Sequence, residues 1–255
     1  MFRVPMHFPV RMGDSGIGVK QLQEFLSLAG YKIKIDSDFG SITLDALNQV
    51  QKRFGFESKD SLDELLFYWL ARKFFLLDGI LPPFMKLSHE NLLREAILWL
   101  AWQAVDVNAR EVGGQNMGPW VRYFMGGYEG RPYAWCAGFA TNVVLEAGER
   151  FHVPDEEMPF TKVYWGCTQF AKDMTIADRL GGDDDMIRRG DLFLIPSSPG
   201  NYSHVGIVAS QDQSGRILTI EGNSNDEGSY EGYEACIRSR SSQSVHIVNM
   251  RLKEK

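Results

Sequence analysis

The sequence predicts an α+β protein that consists of a small helical unit followed by a larger unit of helices packed on an antiparallel sheet. Apolar residues recur at helical spacing through the first half of the chain, whereas residues 204–223 alternate as paired strands do. Between the units, Leu81-Pro82-Pro83-Phe84 interrupts the helical pattern, because a proline pair halts a helix and stiffens the chain. We therefore expect an N-terminal three-helix bundle over 1–80, a hinge over 81–87, and a second domain over 88–255.

Composition excludes several classes of function. A net charge of −6 and a pI near 5.4 give no basic footprint for nucleic acid. The longest apolar stretch, Ala96 to Val105, is too short to span a membrane. The five histidines lack metal-binding spacing, and Asp183-Asp184-Asp185 lacks a calcium-liganding pattern. We expect a monomer with no cofactor and no metal, and with neither nucleic acid nor membrane as a partner.

The N-terminal unit is predicted to contain three helices. The first ends at Gly30, and the second begins at about Ser41, a typical N-cap residue. In the turn between them we expect Gly40 to adopt a positive φ. A third helix is predicted over 61–77 and is apolar on most sides, so it must be sandwiched between neighbours. The apolar positions of the first two helices are Val19, Leu22, Leu26, Ala29, Leu44, Leu47, Val50 and Phe54.

This unit resembles the small three-helix peptidoglycan-binding domain. The resemblance rests on Gly13-Asp14, Gly16, Val19, Leu22-Gln23, Gly30-Tyr31, Asp38-Phe39-Gly40 and Thr43. One departure is Asp36-Ser37, where the family usually has Asp-Gly. The resemblance implies bacterial peptidoglycan as a partner, while a helical cap without a ligand is the alternative.

The second unit should begin with a long helix that Ser88 caps, and a later helix should start at a cysteine. The long helix would turn Leu92, Leu93, Ala96, Ile97, Leu100 and Ala104 inward. Phe139, Ala140, Val143, Val144 and Ala147 follow Cys136 at helical spacing, and Gly148 should end that helix. Cys136 is then its first or second residue, where the helix dipole and free N–H groups favour a thiolate and can stabilise an oxyanion.

Two strands carry the polar residues that a thiol nucleophile needs. Residues 204–210 and 217–223 alternate, and Asp212 to Gly215 has the length of a hairpin loop. If Gln211 pairs with Arg216, His204 lies opposite Asn223 and Gly206 opposite Glu221. All four then share a face that points toward the start of the Cys136 helix. Val205, Ile207, Leu218 and Ile220 take the other face.

The order of cysteine, histidine and a carboxylate or carboxamide is that of papain-like cysteine hydrolases. The sequence also resembles the CHAP family of cysteine- and histidine-dependent amidohydrolases and peptidases of bacterial cell walls. The matching elements are Trp135-Cys136-Ala137, Phe139, Gly190-Asp191-Leu192, Ser203-His204-Val205-Gly206-Ile207 and Glu221-Gly222-Asn223. The region from Glu111 to Gly118, with Val121 and Tyr123, also resembles phage-associated members.

The resemblance implies a papain-like fold with Cys136 as nucleophile, His204 as base, and Glu221 and Asn223 as the remaining site residues. Either Glu221 or Asn223 would orient the imidazole. Candidate substrate contacts are Trp135, Tyr133 and Trp165, although aromatic residues more often fill a core. The other cysteines, Cys167 and Cys236, are expected to be buried free thiols rather than a disulfide pair.

These features together predict a peptidoglycan hydrolase that cuts an amide bond of the stem peptide or its link to muramic acid. The first ten residues lack the apolar core and cleavage site of a signal peptide. We therefore expect synthesis in the cytoplasm and action on the wall after release, as for a phage endolysin, or after injection, as for an interbacterial toxin with a matching immunity protein. A non-catalytic wall-binding or virion structural protein with a vestigial site is the alternative of a different class.

Overall fold

The structure of the chain is a computed structural model that describes residues 8–72, 89–181, 186–225 and 232–252. Its helices are α1 (Ile17–Leu28), α2 (Ser41–Phe54), α3 (Glu64–Leu70), α4 (His89–Asp106), α5 (Pro119–Phe124), α6 (Cys136–Arg150) and α7 (Cys167–Ile176). Its strands are β1 (Val10–Arg11), β2 (Ser61–Leu62), β3 (Leu192–Ser198), β4 (Asn201–Gln211), β5 (Arg216–Ser224), β6 (Glu234–Ser241) and β7 (His246–Val248). The predicted α+β class is confirmed. The hinge, Ser88 and the three consecutive aspartates lie outside the described residues.

The turn between α1 and α2 differs from the prediction. Gly30 has φ 97° and ends α1 as expected, but Gly40 is extended at φ −91°. Ser37 takes the left-handed conformation instead, with φ 68°. The buried side chain of Gln23 explains the difference, because its oxygen accepts hydrogen bonds from the backbone N–H groups of Asp36 and Ser37 at 3.0 and 2.9 Å. The chain therefore reverses at Ser37, the position where related domains have glycine.

The third helix is shorter than predicted at its start. Ser61 and Leu62 form β2, which pairs with β1, and α3 begins only at Glu64. The Asp63 side chain caps it by accepting a hydrogen bond from the N–H of Leu66 at 2.9 Å. The prediction overlooked this cap and took the preceding strand residues as helix.

The second unit is built on a five-stranded antiparallel sheet in the order β6-β5-β4-β3-β7. Helix α4 is anchored beside it by Arg94, whose guanidinium is ion-paired with the fully buried Asp191 at the start of β3. Asp191 also accepts hydrogen bonds from the N–H groups of Met250 and Arg188 at 2.9 and 2.8 Å. Gly190 lies against Arg94 with φ 85°, so a side chain has no room there. The Gly-Asp pair is thus a structural clamp.

The predicted hairpin register is right in its inner half and wrong at its turn. Ile207 pairs with Ile220 and Val208 with Thr219, as counting predicted, whereas Gln211 pairs with Ile217 rather than Arg216. The N–H of Asp212 donates to the carbonyl of Arg216 at 2.9 Å, which lengthens the loop by one residue. A β-bulge between Val208 and Ser210 then restores the predicted pairing.

The two units meet through buried charges. Arg122 of α5 donates to both carboxylate oxygens of Glu24 in α1, at 3.0 and 2.7 Å, and to Glu129 at 2.7 Å. Lys20 of α1 also donates to Glu129, at 2.6 Å. The side chain of Glu24 is 1% exposed and that of Arg122 is 11% exposed. We call these four residues the interdomain brace.

Within the part of the chain that the structure describes, no helix combines the length and the apolar character that a membrane span requires.

Replacing Arg122 with Met should lower the free energy of unfolding by about 3 kcal/mol, because the buried Glu24 carboxylate loses both hydrogen bonds from the guanidinium and is left with the more distant ammonium of Lys20, at 3.6 Å. Chemical denaturation of the full chain measures the effect. Arg189→Met is the matched control, since Arg189 pairs with Glu95 at 3.1 Å but its side chain is 60% exposed. That variant should cost less than about 1 kcal/mol. Equal losses in the two variants would mean that the brace contributes no more than a surface ion pair.

Candidate active site

The start of α6 places the candidate nucleophile. Cys136 is the first residue of α6, as predicted, and is 4% exposed. Trp135 fixes this start, because its fully buried indole stacks on Phe124 at 5.6 Å and donates from Nε1 to Glu111 at 3.0 Å. Helix α6 does not end at Gly148 but continues to Arg150. A side chain at position 148 would meet the end of the Met158 side chain, which would have to move aside.

A series of ionisable side chains extends from Cys136 to the sheet. His204 Nε2 lies 2.9 Å from Glu221 Oε2. Because Nε2 is engaged there, Nδ1 is the ring nitrogen available to interact with Cys136, whose thiol raises the pKa of His204. Arg240 of β6 donates to both oxygens of Glu221, from Nε at 2.6 Å and from a terminal nitrogen at 2.5 Å. Thr219 adds a hydroxyl donor at 2.6 Å, so the fully buried carboxylate has ample partners.

Two glycines allow close packing on the two faces of the sheet at the site. A side chain at Gly206 would meet Phe193 and Glu221, so the glycine leaves space for the carboxylate. A side chain at Gly222 would meet Phe139 and Trp135. The body of α6 therefore packs on the sheet face of Gly222 rather than on the face of His204 and Glu221. His204 interacts with the first residue of α6, Cys136, which is the end of the helix toward which the polar face was predicted to point.

The electrostatics favour an ion pair between Cys136 and His204. Hydrogen bonds from Cys167, from His204 and from the N–H of Val205 lower the pKa of Cys136 well below its usual value, although burial opposes them. Burial also opposes protonation of His204, but its hydrogen bonds with Cys136 and Glu221 raise its pKa to about 9. Glu221 keeps a strongly lowered pKa despite burial, because Arg240 and His204 bind it. Both shifts favour a thiolate at Cys136 beside an imidazolium at His204.

A second thiol contacts the first. Cys167 Sγ lies 3.6 Å from Cys136 Sγ, and Cys167 is the first residue of α7. The contact with Cys136 and burial together raise the pKa of Cys167, so Cys167 stays protonated and donates to the thiolate. All three cysteines are buried and free, which was expected for Cys167 and Cys236. The partner that Cys167 approaches is Cys136, however, and not Cys236.

The two other site residues predicted from sequence, Asn223 and Trp135, have different surroundings. Asn223 follows Glu221 on β5 with φ 52°, and its side-chain oxygen is buried without a hydrogen-bond partner in the described part of the chain. Of the two candidate orienters, Glu221 is the one in contact with the imidazole. Trp135 is fully buried, so its indole has a packing role and cannot contact a substrate.

Exposed aromatic rings border the cysteine helices. Trp165 is 50% exposed, and its ring centroid lies 4.6 Å from that of Tyr128, which is 46% exposed. Tyr133 lies 5.4 Å from Tyr128 and is partly buried. We call Tyr128, Tyr133 and Trp165 the aromatic rim. Trp165 stands two residues before Cys167 and Tyr133 three before Cys136, so the rim belongs to the segments that lead into the two cysteine helices.

Sequence reasoning missed two members of this site, Arg240 and Tyr128, and did not predict the contact of Cys167 with Cys136. Arg240 lies on a strand for which no pattern was identified, and it is brought to Glu221 by the pairing of β5 with β6. Tyr128 offered no signal beyond its aromatic character. No group of three or more His, Cys, Asp or Glu side chains within the described ranges is placed to hold a metal ion.

Comparison with known families agrees with this geometry. Residues 128–223 match the CHAP domain, and residues 15–60 match the putative peptidoglycan binding domain. The first match contains Cys136, His204 and Glu221, and the second contains α1 and α2. No curated protein and no solved structure matches the chain significantly. The chain carries a CHAP domain behind a peptidoglycan-binding domain, a combination that supports a peptidoglycan hydrolase.

The pKa of the His204 imidazole is raised to about 9, so the ring should lose its proton near pH 9. Glu221→Gln should lower the pKa of His204 by about one to three pH units, because it removes the negative charge that faces the ring. The sign follows from the raised pKa: the ionised pair persists at neutral pH and is lost as pH rises through about 9. NMR titration of the histidine rings, assigned with His204→Asn, measures the change. Glu146→Gln is the control, since Glu146 binds Tyr123 and Arg150 instead. An unchanged His204 titration in a folded Glu221→Gln protein would contradict the assigned contact.

Proposed function

We propose that this peptidoglycan hydrolase cuts an amide bond through a cysteine acyl-enzyme, with Cys136 as nucleophile and His204 as general acid and base. One observation carries the proposal: Cys136 begins α6 and interacts electrostatically with His204, whose Nε2 is held by Glu221 at 2.9 Å. A helix N-terminus and an imidazolium both stabilise a thiolate, and a carboxylate fixes the tautomer of the base.

In the proposed reaction the Cys136 thiolate attacks the amide carbonyl of a stem peptide or of its link to muramic acid. Free N–H groups at the start of α6 stabilise the developing oxyanion. His204 then protonates the leaving amine, and the acyl-enzyme forms. The neutral imidazole next removes a proton from water, which releases the product and restores the thiolate. Glu221 acts through His204 by holding its ring, and Asn223 stays a proposed member of the site.

We also propose the aromatic rim as a contact surface for the substrate. Tyr133 and Trp165 were candidates from sequence, and Tyr128 joins them because its ring packs against both. Three rings beside the thiols form a largely exposed apolar surface with polar tips, which suits the alternating sugar faces and amide groups of peptidoglycan. The rim gives the substrate a fixed approach to Cys136.

The proposed physiological role is that of a phage endolysin, with an injected wall-degrading toxin as the alternative. The two roles share the chemistry and differ in delivery. An endolysin should leave the cell intact when it is produced in the cytoplasm and should lyse it once the inner membrane is permeabilised. Neutralisation by a dedicated immunity protein would instead favour the toxin.

Cys136→Ser should abolish the clearing of purified sacculi while leaving the unfolding transition nearly unchanged. An alcohol has a far higher pKa than a thiol and is a poor nucleophile in a site tuned for thiolate. Zymography and turbidity assays measure activity, and mass spectrometry of released muropeptides identifies the bond cut. Cys236→Ser is the matched control, since Cys236 is also buried but lies on β6. Activity of Cys136→Ser within about tenfold of the parent, or about 1.4 kcal/mol of barrier, would assign the chemistry to another residue.

Trp165→Ala should weaken substrate use about fivefold, since an aromatic contact contributes roughly 1 kcal/mol beyond the area it buries. The loss should appear in the concentration of sacculi that gives half-maximal rate rather than in the maximal rate. Leu218→Ala is the control, because Leu218 is 37% exposed and lies on β5 near the hairpin turn. A fall in maximal rate alone would mean that Trp165 supports the thiols and does not contact substrate.

A further inference from the structure

The contact between Cys136 and Cys167 has a chemical consequence beyond thiolate stabilisation. Their sulfur atoms are 3.6 Å apart, and both residues are buried. A disulfide needs a separation of about 2 Å, so a displacement of roughly 1.5 Å shared between two side chains would join them. The remaining cysteine, Cys236, pairs across the sheet with Glu221 and approaches neither of them.

The local structure permits this displacement. Each cysteine is the first residue of its helix, where one side of the backbone is free of helical hydrogen bonds. Gly166 precedes Cys167 in an extended conformation, and a side chain added there would meet nothing within 4 Å. The start of α7 therefore has open space in which to adjust, whereas the start of α6 is held by the buried Trp135.

The two thiols also differ in protonation, which gives each a distinct role. Cys136 is the thiolate, the form that peroxides oxidise. Cys167 stays a protonated thiol against it. A thiolate with a second thiol in contact is the arrangement in which a sulfenic acid is captured before it oxidises further.

We propose that Cys136 and Cys167 form a peroxide-responsive pair, in which oxidised Cys136 is captured by Cys167 as a disulfide that a thiol reductant reopens. The inference rests on the proposed function only in that Cys136 is the reactive thiolate. While the disulfide stands, the nucleophile is blocked but is protected from irreversible oxidation to the sulfinic acid.

The oxidation balances in two steps. The Cys136 thiolate attacks one oxygen of hydrogen peroxide, the O–O bond breaks, and the leaving hydroxide takes the proton of His204 to become water. Cys136 is then a sulfenic acid. The sulfur of Cys167 attacks the sulfur of Cys136, the S–O bond breaks, and the hydroxyl leaves with the Cys167 proton as a second water. Two thiol groups have lost two electrons to one peroxide.

The test treats the full-length protein with hydrogen peroxide and follows both its mass and its activity. The parent protein should lose two hydrogens, give a Cys136–Cys167 cross-linked peptide under non-reducing conditions, and recover activity with dithiothreitol. Cys167→Ser should instead gain two oxygens at Cys136 and should not recover. Cys167→Ala serves the same purpose if the serine variant does not fold, and Cys236→Ser should behave as the parent.

The proposal is overturned if the parent protein is oxidised to the sulfinic acid as fast as Cys167→Ser, or if the cross-link joins Cys236. The mass measurement does not depend on hydrolysis. A cross-link formed in a protein that fails to clear sacculi would therefore refute the proposed function and leave the thiol pair standing.

Discussion

The site depends on one buried charge, the carboxylate of Glu221. Its side chain has no exposed surface, and removing a carboxylate from water costs several kcal/mol unless counter-charges and donors replace the water. Arg240, Thr219 and His204 provide those partners. The need to satisfy this carboxylate fixes the neighbouring strand, the position of the imidazole and, through the imidazolium, the ionised state of Cys136.

The position of the Glu221 carboxylate also depends on the register in which β4 and β5 of the hairpin pair. Without the bulge, the longer loop at Asp212 to Arg216 would place Ile207 opposite Glu221 and turn the carboxylate away from the face of His204. Ala209 has no partner on β5, and this bulge shifts the register of the two strands by one residue. Counting from the sequence reached the right pairs beside the site, Ile207 with Ile220 and Val208 with Thr219, because the longer loop and the bulge cancel. Neither feature has a local signal strong enough to predict it alone.

The features that could be predicted from the sequence are those whose pattern lies within a short segment of the chain. The helix at Cys136, the strand pattern around His204 and the match to two families all rest on residues close together in sequence. Arg240 and Cys167 could not be assigned in this way, since 19 residues separate Arg240 from Glu221 and 31 separate the two cysteines. Ser37 shows the same limit at short range, because a side chain from another helix, Gln23, decides its left-handed conformation.

The N-terminal unit takes part in the architecture of the site through the interdomain brace. Glu129 stands next to Tyr128 of the aromatic rim and is held by Lys20 of α1 and by Arg122. The N–H of Gly118 also donates to Glu129, at 2.9 Å, and these bonds lower its pKa although burial opposes them. The segment that leads to Cys136 is therefore anchored on a helix of the peptidoglycan-binding domain. The ion pair between Glu24 and Arg122 is buried, so a change in the position of α1 has two possible outcomes. Either α1 carries the rim with it, or Glu24 loses its partner Arg122, which is costly.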